Sequence, residues 1–269
     1  MKVSRQGFYR HESREDLKQE EDERILSAVR RIRAVLETVG VRKLQVMLKT
    51  LPEFSGCQIS RDRLFDLLRK RGLLSKLHGR YCVTSVSPEL RKFWPNMLKD
   101  IQITRPNQVW VSDITYVLVG SEFYFLSLVT DAYSRKILGY NLSRRMFAED
   151  VLKAFQYAWT KYQPGPGLIH HSDKGSQYAS ALYTGWLAGR GVQISMTGPG
   201  RCFDNPIAER VNGILKDEFG LRRLLKDYKT ALKLVRDSIK LYNGLRLHKS
   251  LNYKTPDSVY HRLESRDAA

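Results

Sequence analysis

The chain has 269 residues, of which 42% are hydrophobic, enough for cores in one large domain or two to three small ones. Lys and Arg outnumber Asp and Glu by 46 to 28, and the net charge of +18 favours nucleic acid or another polyanion as the partner. Three widely spaced cysteines without a CxxC pair exclude a disulfide framework and a zinc ribbon. No apolar run reaches the ~20 residues of a membrane-spanning helix, so we expect a cytoplasmic protein with no membrane partner.

Residues 1–80 are predicted to form a helical DNA-binding region. Apolar residues recur at helical spacing over 22–39, a second helix is predicted over 41–51, and a third lies between Ser60 and Gly72. A helix, a turn and a short basic helix are typical of a helix-turn-helix, whose second helix enters the major groove. A charge-rich amphipathic helix is more often only a solvated face, and the overall charge favours the DNA-binding alternative. The predicted DNA-binding residues of the third helix are Arg61, Arg63 and Lys70.

Residues 81–106 contain three prolines and are predicted to be a linker, after which β-branched and aromatic residues indicate strands. The order βββαβαβα predicts an α/β domain at 107–225, a mixed five-stranded sheet flanked by helices, followed by a C-terminal helix and tail at 226–269. Short connections between the first three strands are typical of an antiparallel meander. The predicted strands cover 109–119, 122–130, 136–142, 168–171 and 192–196, and the predicted helices between them cover 148–162 and 178–188.

Three acidic residues fall where a two-metal phosphoryl-transfer site needs ligands. Asp113 lies within the first predicted strand, Asp173 follows the fourth, and Glu209 lies in the first turn of a helix predicted to begin after the N-cap Asn205. A carboxylate beside apolar strands is costly unless it is compensated, and a divalent cation usually compensates several that converge. The three can meet if the first and fourth strands are neighbours. Taken singly, each acid is more simply a turn or cap residue, and Asp113 is the hardest to explain in that way.

Oxygen-only ligands favour two Mg²⁺ ions, for which Mn²⁺ can substitute, clamping the attacking and leaving oxygens of an in-line displacement. The helix dipole is expected to keep Glu209 ionised. Lys216 lies seven residues further along, about two helical turns, and is expected on the same face, where its cation can hold a DNA strand.

Other polar residues near these motifs have simpler interpretations. The imidazoles of His170 and His171 would select a different metal, so a structural or DNA-facing role is predicted for His171. Asp131 is predicted to be a turn acid between strands. Arg246 and His248 either contact DNA or pack the C-terminal tail, and both alternatives stay open.

Several short motifs occur in order: Ser112–Tyr116, His171–Tyr178, Asp204–Glu209, Leu215–Glu218 and Tyr242–Leu251 followed by Thr255 and Pro256. Together they closely resemble bacterial insertion-sequence transposases of the IS-three family, specifically the OrfB product of its second reading frame. Between Asp173 and Glu209 lie 35 residues, as in the D,D-35-E pattern shared with retroviral integrases. The resemblance runs from about residue 3 to residue 259. Pro206 stands where the family often has Ala, and a proline is tolerated in a first helical turn.

The resemblance implies an RNase H-like catalytic domain that cleaves the 3′ ends of the element and transfers the freed 3′-hydroxyls to target DNA. It implies that Asp113, Asp173 and Glu209 are the metal ligands and that Lys216 contacts DNA near the cut end. The DNA partners would be terminal inverted repeats and target DNA, and joining two ends implies at least a homodimer associated with the bacterial nucleoid. Residues 3–10 resemble the end of a further helix-turn-helix that begins in the first frame, so an OrfA partner or fusion is also implied.

Two other functions remain as alternatives. An accessory or domesticated DNA-binding protein with an inactive core would not need the intact acidic residues. An RNase H-type nuclease would rarely need a helix-turn-helix for sequence-specific docking.

Overall fold

The computed structural model describes residues 5–75, 94–99, 101–198 and 205–264, and of residues 5–15 and 262–264 it describes the backbone only. The chain divides into two compact units, residues 1–78 and 79–269. In the described part of the chain, no helix is both long and apolar enough to cross a bilayer.

The first unit is helical, as predicted. It consists of α1 (Arg5–Val35), α2 (Val41–Lys49) and α3 (Arg61–Lys70), with a short 3-10 turn between α2 and α3. The hydroxyl of Ser60 caps α3 by accepting a hydrogen bond from the backbone N–H of Arg63 at 3.2 Å. The apolar stripes of the helices form one core. Its residues include Ile25, Leu26, Val29, Leu44, Leu48, Ile59, Leu64 and Leu68, each at most 1% exposed.

The second unit is built on a mixed five-stranded sheet in the order β3-β2-β1-β4-β5, which confirms the predicted fold class. The first three strands form the predicted antiparallel meander, and β4 runs parallel to β1 and to β5. The strands are β1 (Val109–Val119), β2 (Glu122–Asp131), β3 (Ile137–Ser143), β4 (Ile169–Ser172) and β5 (Gln193–Met196).

The register between β1 and β4 positions the two predicted catalytic aspartates. Val111 on β1 pairs with His171 on β4. Asp113 lies two residues beyond Val111, and Asp173 lies two residues beyond His171. Asp113 therefore lies within β1, and Asp173 directly follows the end of the neighbouring parallel strand β4.

Helices cover both faces of the sheet. One face carries α4 (Ala148–Tyr162) and α5 (Ala181–Ala188), whose core includes Trp110, Phe155 and Tyr183. The other carries α6 (Pro206–Glu218) and α7 (Tyr228–Gly244), which pack on Val117 and Leu126. The last helix, α8 (Pro256–Glu264), adds Tyr260 to the first core, and the Tyr260 hydroxyl donates to Asn107 Oδ1 at 3.0 Å. The predicted C-terminal helix and tail are therefore packed on the sheet.

Segments beside the two outer strands hold them in place. Part of the predicted linker lies along β5: the Met97 N–H donates to Ser195 Oγ at 3.0 Å, and the Met196 N–H donates to Pro95 O at 3.3 Å. The rest of that linker, residues 81–93 and residue 100, lies outside the described residues. At β3, Asn243 of α7 accepts from the Ile137 N–H and donates to the Ile137 carbonyl, each at 2.9 Å.

Candidate active site

Asp113 is held on β1 by hydrogen bonds to both of its carboxylate oxygens. Oδ1 accepts from the Ile114 N–H at 2.8 Å, and Oδ2 accepts from Asn212 Nδ2 on α6 at 2.7 Å. Burial, and after it the charge of Asp173, raises the pKa of Asp113 to about 7. The two hydrogen bonds favour the ionised form but do not offset that cost. This carboxylate is therefore oriented, yet its negative charge is poorly compensated by the protein.

Asp173 begins a tight loop after β4. Its Oδ1 accepts from the Gly175 N–H at 2.9 Å, and burial raises the pKa of the carboxyl above its usual value. A Cβ on Gly175 would lie 2.9 Å from the same oxygen, closer than real Cβ contacts. The loop therefore requires glycine at that position to hold the Asp173 side chain as it does.

Glu209 lies in the first turn of α6 and is exposed to solvent. Burial of part of the side chain, and after it the charge of Asp173, raises the pKa of Glu209. Partial burial and the like charge of Asp173 thus act against the ionised form, which the helix dipole is expected to favour. Asn205 stands at the predicted N-cap, but instead of capping α6 it donates from Nδ2 to the Ser112 carbonyl at 2.9 Å. That bond ties the start of α6 to β1, one residue from Asp113.

The three carboxylates are electrostatically coupled without having converged on one point. The charges of both Asp173 and Glu209 raise the pKa of Asp113, and Asp173 raises that of Glu209. Within the described residues, no three His, Cys, Asp or Glu side chains already stand in metal-ligating geometry. The donor set is oxygen only and its charge is in excess, so these residues fit a hard divalent cation.

Lys216 lies on α6 within electrostatic reach of Asp113. Burial, and then the nearby cation of Arg222, lowers the pKa of Lys216, while the charge of Asp113 opposes that shift. Arg222 itself donates from Nε to Asp217 Oδ1 at 2.9 Å. Lys216 is therefore the cation that stands beside Asp113, and Arg222 is paired with Asp217.

Asn212 is a site residue that the sequence reading missed. It lies three residues after Glu209 on α6, so both residues share one helix face. The spacing itself was a usable signal. However, its partner Asp113 is 99 positions away in the chain, and only the docking of α6 on β1 brings them together.

The histidines before Asp173 are structural. His170 is buried, its Nε2 lies 2.9 Å from Ser112 Oγ and 3.2 Å from the Tyr183 hydroxyl, and burial lowers its pKa to about 3. His171 is also buried, with Nδ1 2.8 Å from Ser195 Oγ. Neither ring faces solvent, so both keep β4 fixed against its neighbours.

Asp131 is the turn acid that the sequence predicts. Its carboxylate accepts from the backbone N–H of Asn107 at 2.8 Å, from that of Ser134 at 2.7 Å, and from the Ser134 hydroxyl at 2.6 Å. The side chain is fully buried, and these bonds close the turn after β2.

Arg246 and His248 pack the C-terminal tail, the second of the two alternatives left open by the sequence. Arg246 is 3% exposed and donates from Nε and Nη2 to the two carboxylate oxygens of Glu218 at 2.7 and 2.5 Å. Its Nη1 lies 3.1 Å from His248 Nε2. This cluster joins the end of α6 to the segment after α7.

The basic residues predicted to bind DNA on α3 have different surroundings. Arg63 donates to Glu21 and Asp22 of α1, each at 2.9 Å, so its guanidinium braces α3 against α1. Arg61 is exposed and pairs with its neighbour Asp62, and Lys70 is exposed at the end of the helix. Cys202 and the residues adjoining it at 199–204 lie outside the described residues.

Comparison with protein families finds two matches, which overlap and both lie in the second unit, residues 79–269. A model described as "Integrase core domain" matches residues 103–202, and a second model with the same description matches residues 190–256.

Two curated relatives span nearly the whole chain. The "Insertion element IS600 uncharacterized 31 kDa protein" of Shigella sonnei is 33% identical over 269 residues, 97% of each chain. The "Transposase for insertion sequence element IS904" of Lactococcus lactis is 32% identical, over 89% of this chain and 94% of its own.

Among solved structures, a chain of the simian T-cell lymphotropic virus intasome in complex with PP2A regulatory subunit B56 gamma aligns with a TM-score of 0.51. The alignment covers 83% of this chain and 71% of that one, at 16% identity. This likeness concerns the fold alone, and it confirms the predicted RNase H-like core.

Proposed function

Because the chain belongs to the transposases of bacterial insertion sequences of the IS-three type, we propose that it cleaves the 3′ ends of its element and joins the freed 3′-hydroxyls to target DNA. The chain is a DNA transposase, that is, a polynucleotidyl transferase with an integrase core domain. Beyond this activity, we propose two chemical steps, cleavage and strand transfer, and the residues that carry them out.

One observation carries the assignment of the site. Asp113 lies on β1, and Asp173 directly follows β4, the strand that pairs parallel with β1. The charges of Asp173 and Glu209 raise the pKa of Asp113, and the charge of Asp173 raises that of Glu209. Such an arrangement stores repulsion that a structural role does not need, and a shared cation relieves it. We assign these three residues as the catalytic metal ligands.

The proposed cofactor is a pair of Mg²⁺ ions, for which Mn²⁺ can substitute. When bound, such ions supply Lewis acidity at the phosphate and lower the pKa of the attacking hydroxyl or water. Asn212 orients the Asp113 carboxylate and Gly175 orients that of Asp173, so two of the ligands are fixed before the cations arrive. Exposed Glu209 supplies the adjustable ligand, and Lys216 attracts the DNA strand beside the cut.

The proposed macromolecular partners are the terminal inverted repeats of the element and the target DNA. The net charge of +18 supports a polyanionic partner. Residues 1–80 would dock the end DNA through α3, with Arg61 and Lys70 at its surface and Arg63 braced behind them. Residues 107–225 with the packed C-terminal segment would carry the chemistry. Joining two ends supports at least a homodimer, acting at the bacterial nucleoid, and an OrfA partner or fusion completes the assembly.

The test is neutralisation of each acidic residue. We expect Asp113→Asn, Asp173→Asn and Glu209→Gln each to lower 3′-end cleavage and strand transfer with Mg²⁺ by more than the about 10–100-fold that loss of an outer-shell partner costs. DNA binding should stay largely intact. Glu149→Gln is the matched control, because Glu149 is an exposed acid in the first turn of α4.

Retention of strand transfer by any of the three variants would overturn the assignment. Wild-type protein that digests an RNA–DNA hybrid without joining products would instead indicate an RNase H-type nuclease. Failure to join pre-cut ends would indicate an accessory DNA-binding protein.

A further inference from the structure

Three aromatic side chains at the β1–β2 hairpin form a partly exposed strip. On one sheet face, α4 packs over Trp110 and Ile114, and the same face continues to Tyr116, which pairs across the strands with Phe125. Phe123 lies two residues before Phe125 and therefore on the same face. We call Tyr116, Phe123 and Phe125 the aromatic strip.

The aromatic strip is exposed and ordered. Tyr116 is 45% exposed and Phe123 is 60% exposed. The ring centroid of Tyr116 lies 6.1 Å from that of Phe123 and 5.4 Å from that of Phe125, both in edge-on geometry. The rings thus contact one another, while Tyr116 and Phe123 keep about half of their surface in solvent. Exposure of this degree is not needed for a core, and clustered exposed aromatics mark a binding surface.

Cationic groups border the aromatic strip. Arg144 pairs with Glu122 at the start of β2, and Arg145 lies 3.5 Å from Asp150 while its guanidinium stacks over Phe147 at 5.0 Å. The side chains of Arg144 and Arg145 are 67% and 63% exposed. The Arg144–Glu122 pair is exposed on both sides and therefore weak, and buried Asp150 keeps Lys153 as a second cation when Arg145 turns to another anion. A ligand that brings its own negative charge therefore meets available guanidinium groups here.

This surface adjoins the loop that holds Asp173. The side-chain amide of Gln177 donates from Nε2 to the Met146 carbonyl at 3.1 Å, and Met146 lies between Arg145 and exposed Phe147. Gln177 also lies beside Gly175, the residue whose N–H holds Asp173. Tyr116 lies three residues beyond Asp113 on β1, about 10 Å along the strand and on the opposite face of the sheet. A DNA strand that runs from the acidic residues to the aromatic strip would therefore pass the arginines on the way.

We propose that the aromatic strip, with Arg144 and Arg145, binds unpaired bases at the end of the DNA. The inference rests on the proposed function and adds the form of the substrate. A ligand that offers flat rings and phosphates together is a single strand, because duplex DNA hides the faces of its bases within the stack. Separated terminal bases would stack on the aromatic strip while their phosphates meet the arginines. The site therefore favours an end whose last base pairs are open.

The test compares two forms of one DNA sequence. Fluorescence anisotropy of the full chain in EDTA measures the affinity for a duplex with three unpaired terminal nucleotides and for a blunt duplex. We expect wild-type protein to prefer the tailed duplex. Phe123→Ala should weaken binding of the tailed duplex by about tenfold and of the blunt duplex by less than about twofold, since one lost base stack accounts for such a change. Phe123→Trp should keep the preference, because any aromatic ring stacks.

Tyr157→Ala is the matched control. Tyr157 is 49% exposed, stands beside Lys161 and lies on α4 about 15 Å along the helix axis from Phe147. It should leave both affinities unchanged.

Three outcomes would overturn the proposal. Wild-type protein could show no preference for the tailed duplex, or Phe123→Ala could weaken binding of both duplexes equally. Phe123→Ala could also keep the wild-type preference but lose the oligomers that wild-type protein shows on gel filtration. The last would assign the aromatic strip to a second copy of the chain. The measurement uses no metal and no chemistry, so activity in Asp113→Asn would refute the proposed catalytic site and leave this preference standing.

Discussion

Asp113 carries a charge that its surroundings disfavour, and this has a consequence for stability. Its pKa is about 7 in the folded protein, against an ordinary 3.8. Between these values the unfolded chain has lost a proton that the folded protein keeps, so the free energy of unfolding falls as pH rises from about 4 to 7. Above pH 7 the whole penalty is present.

Asp113→Asn should therefore raise the melting temperature more at pH 8 than at pH 4.5, with EDTA present. The difference corresponds to about 1–2 kcal/mol once solvent contact of the half-buried carboxyl is allowed for. Differential scanning calorimetry at both pH values measures it, with Glu149→Gln as the control. An equal shift at both pH values would show that the carboxyl is not strained in the folded protein.

Arg246 is predicted to matter for folding. Arg246→Ala removes the bidentate Arg246 cation from partly buried Glu218 and should lower the free energy of unfolding by about 3 kcal/mol in urea titration. Arg222→Ala breaks a more exposed pair with Asp217 and should cost less than about 1 kcal/mol. Equal stability of the Arg246 variant and wild type would return Arg246 to the DNA-binding alternative.

The sequence predicts the acidic residues but not their supports. Asp113, Asp173 and Glu209 stand in recognisable motifs with fixed spacing, whereas the roles of Asn205 and Asn212 depend on where α6 docks. Asn205 illustrates the difference: its position at the helix start is predicted correctly, but its side chain bonds to β1. Local rules fix the backbone position, and tertiary packing decides which partner the side chain meets.

At the scale of single elements, β3 and α4 approach so closely that only glycine fits between them. A Cβ on Gly139 would lie 2.1 Å from the Ala154 carbonyl oxygen and 3.0 Å from Ala158 Cβ. Gly139→Ala should therefore lower the free energy of unfolding by about 1–3 kcal/mol, because backbone would have to shift.

Gly185→Ala is expected to change the free energy of unfolding in the opposite direction in the same experiment. Gly185 lies in α5, is exposed, and a Cβ there would meet nothing within 4 Å. Removal of glycine from a helix interior should raise the free energy of unfolding by about 1 kcal/mol. Thermal melts of Gly139→Ala and Gly185→Ala measure both changes in stability. If both variants lost stability, the close approach of β3 and α4 at Gly139 would not be the cause.

Element boundaries were predictable where the pattern was amphipathic. Helix α4 begins and ends as predicted, because apolar residues mark its buried face throughout. Helix α1 begins at Arg5 instead of residue 22, since its first half is charged and has no apolar period, although its residues favour helix. Helix α5 begins at Ala181 instead of residue 178, because the Ser180 hydroxyl accepts from the Tyr183 N–H and caps it there.

For the whole molecule, the positive charge predicts strongly salt-dependent binding. The logarithm of the DNA association constant should fall linearly with the logarithm of salt concentration. Lys216→Ala should reduce that slope by about 1, as loss of one phosphate contact does. Exposed Lys240 on α7 is the comparison, and the same reduction in Lys240→Ala would mean that Lys216 has no special place at the DNA.

The antiparallel meander was predictable from the short connections between the first three strands, whereas the adjacency of the first and fourth strands stayed a condition until the structure showed it. The segments that cover the outer strands of the sheet could not be predicted from the sequence. Residues 94–99 have no apolar period and contain Pro95, which favours a linker reading, yet they lie against β5. Their role depends on contacts with strand residues about 98 positions away in the chain.

Those covering contacts limit how copies of the protein can associate. An open sheet margin invites another chain to extend the sheet by strand addition, which leads to domain swapping or aggregation. Here the Asn243 amide bonds both backbone groups of Ile137 at the start of β3, and the Pro95 carbonyl accepts from the Met196 N–H at the end of β5. Strand addition is hindered at these two points, which favours association of copies on DNA through side-chain surfaces.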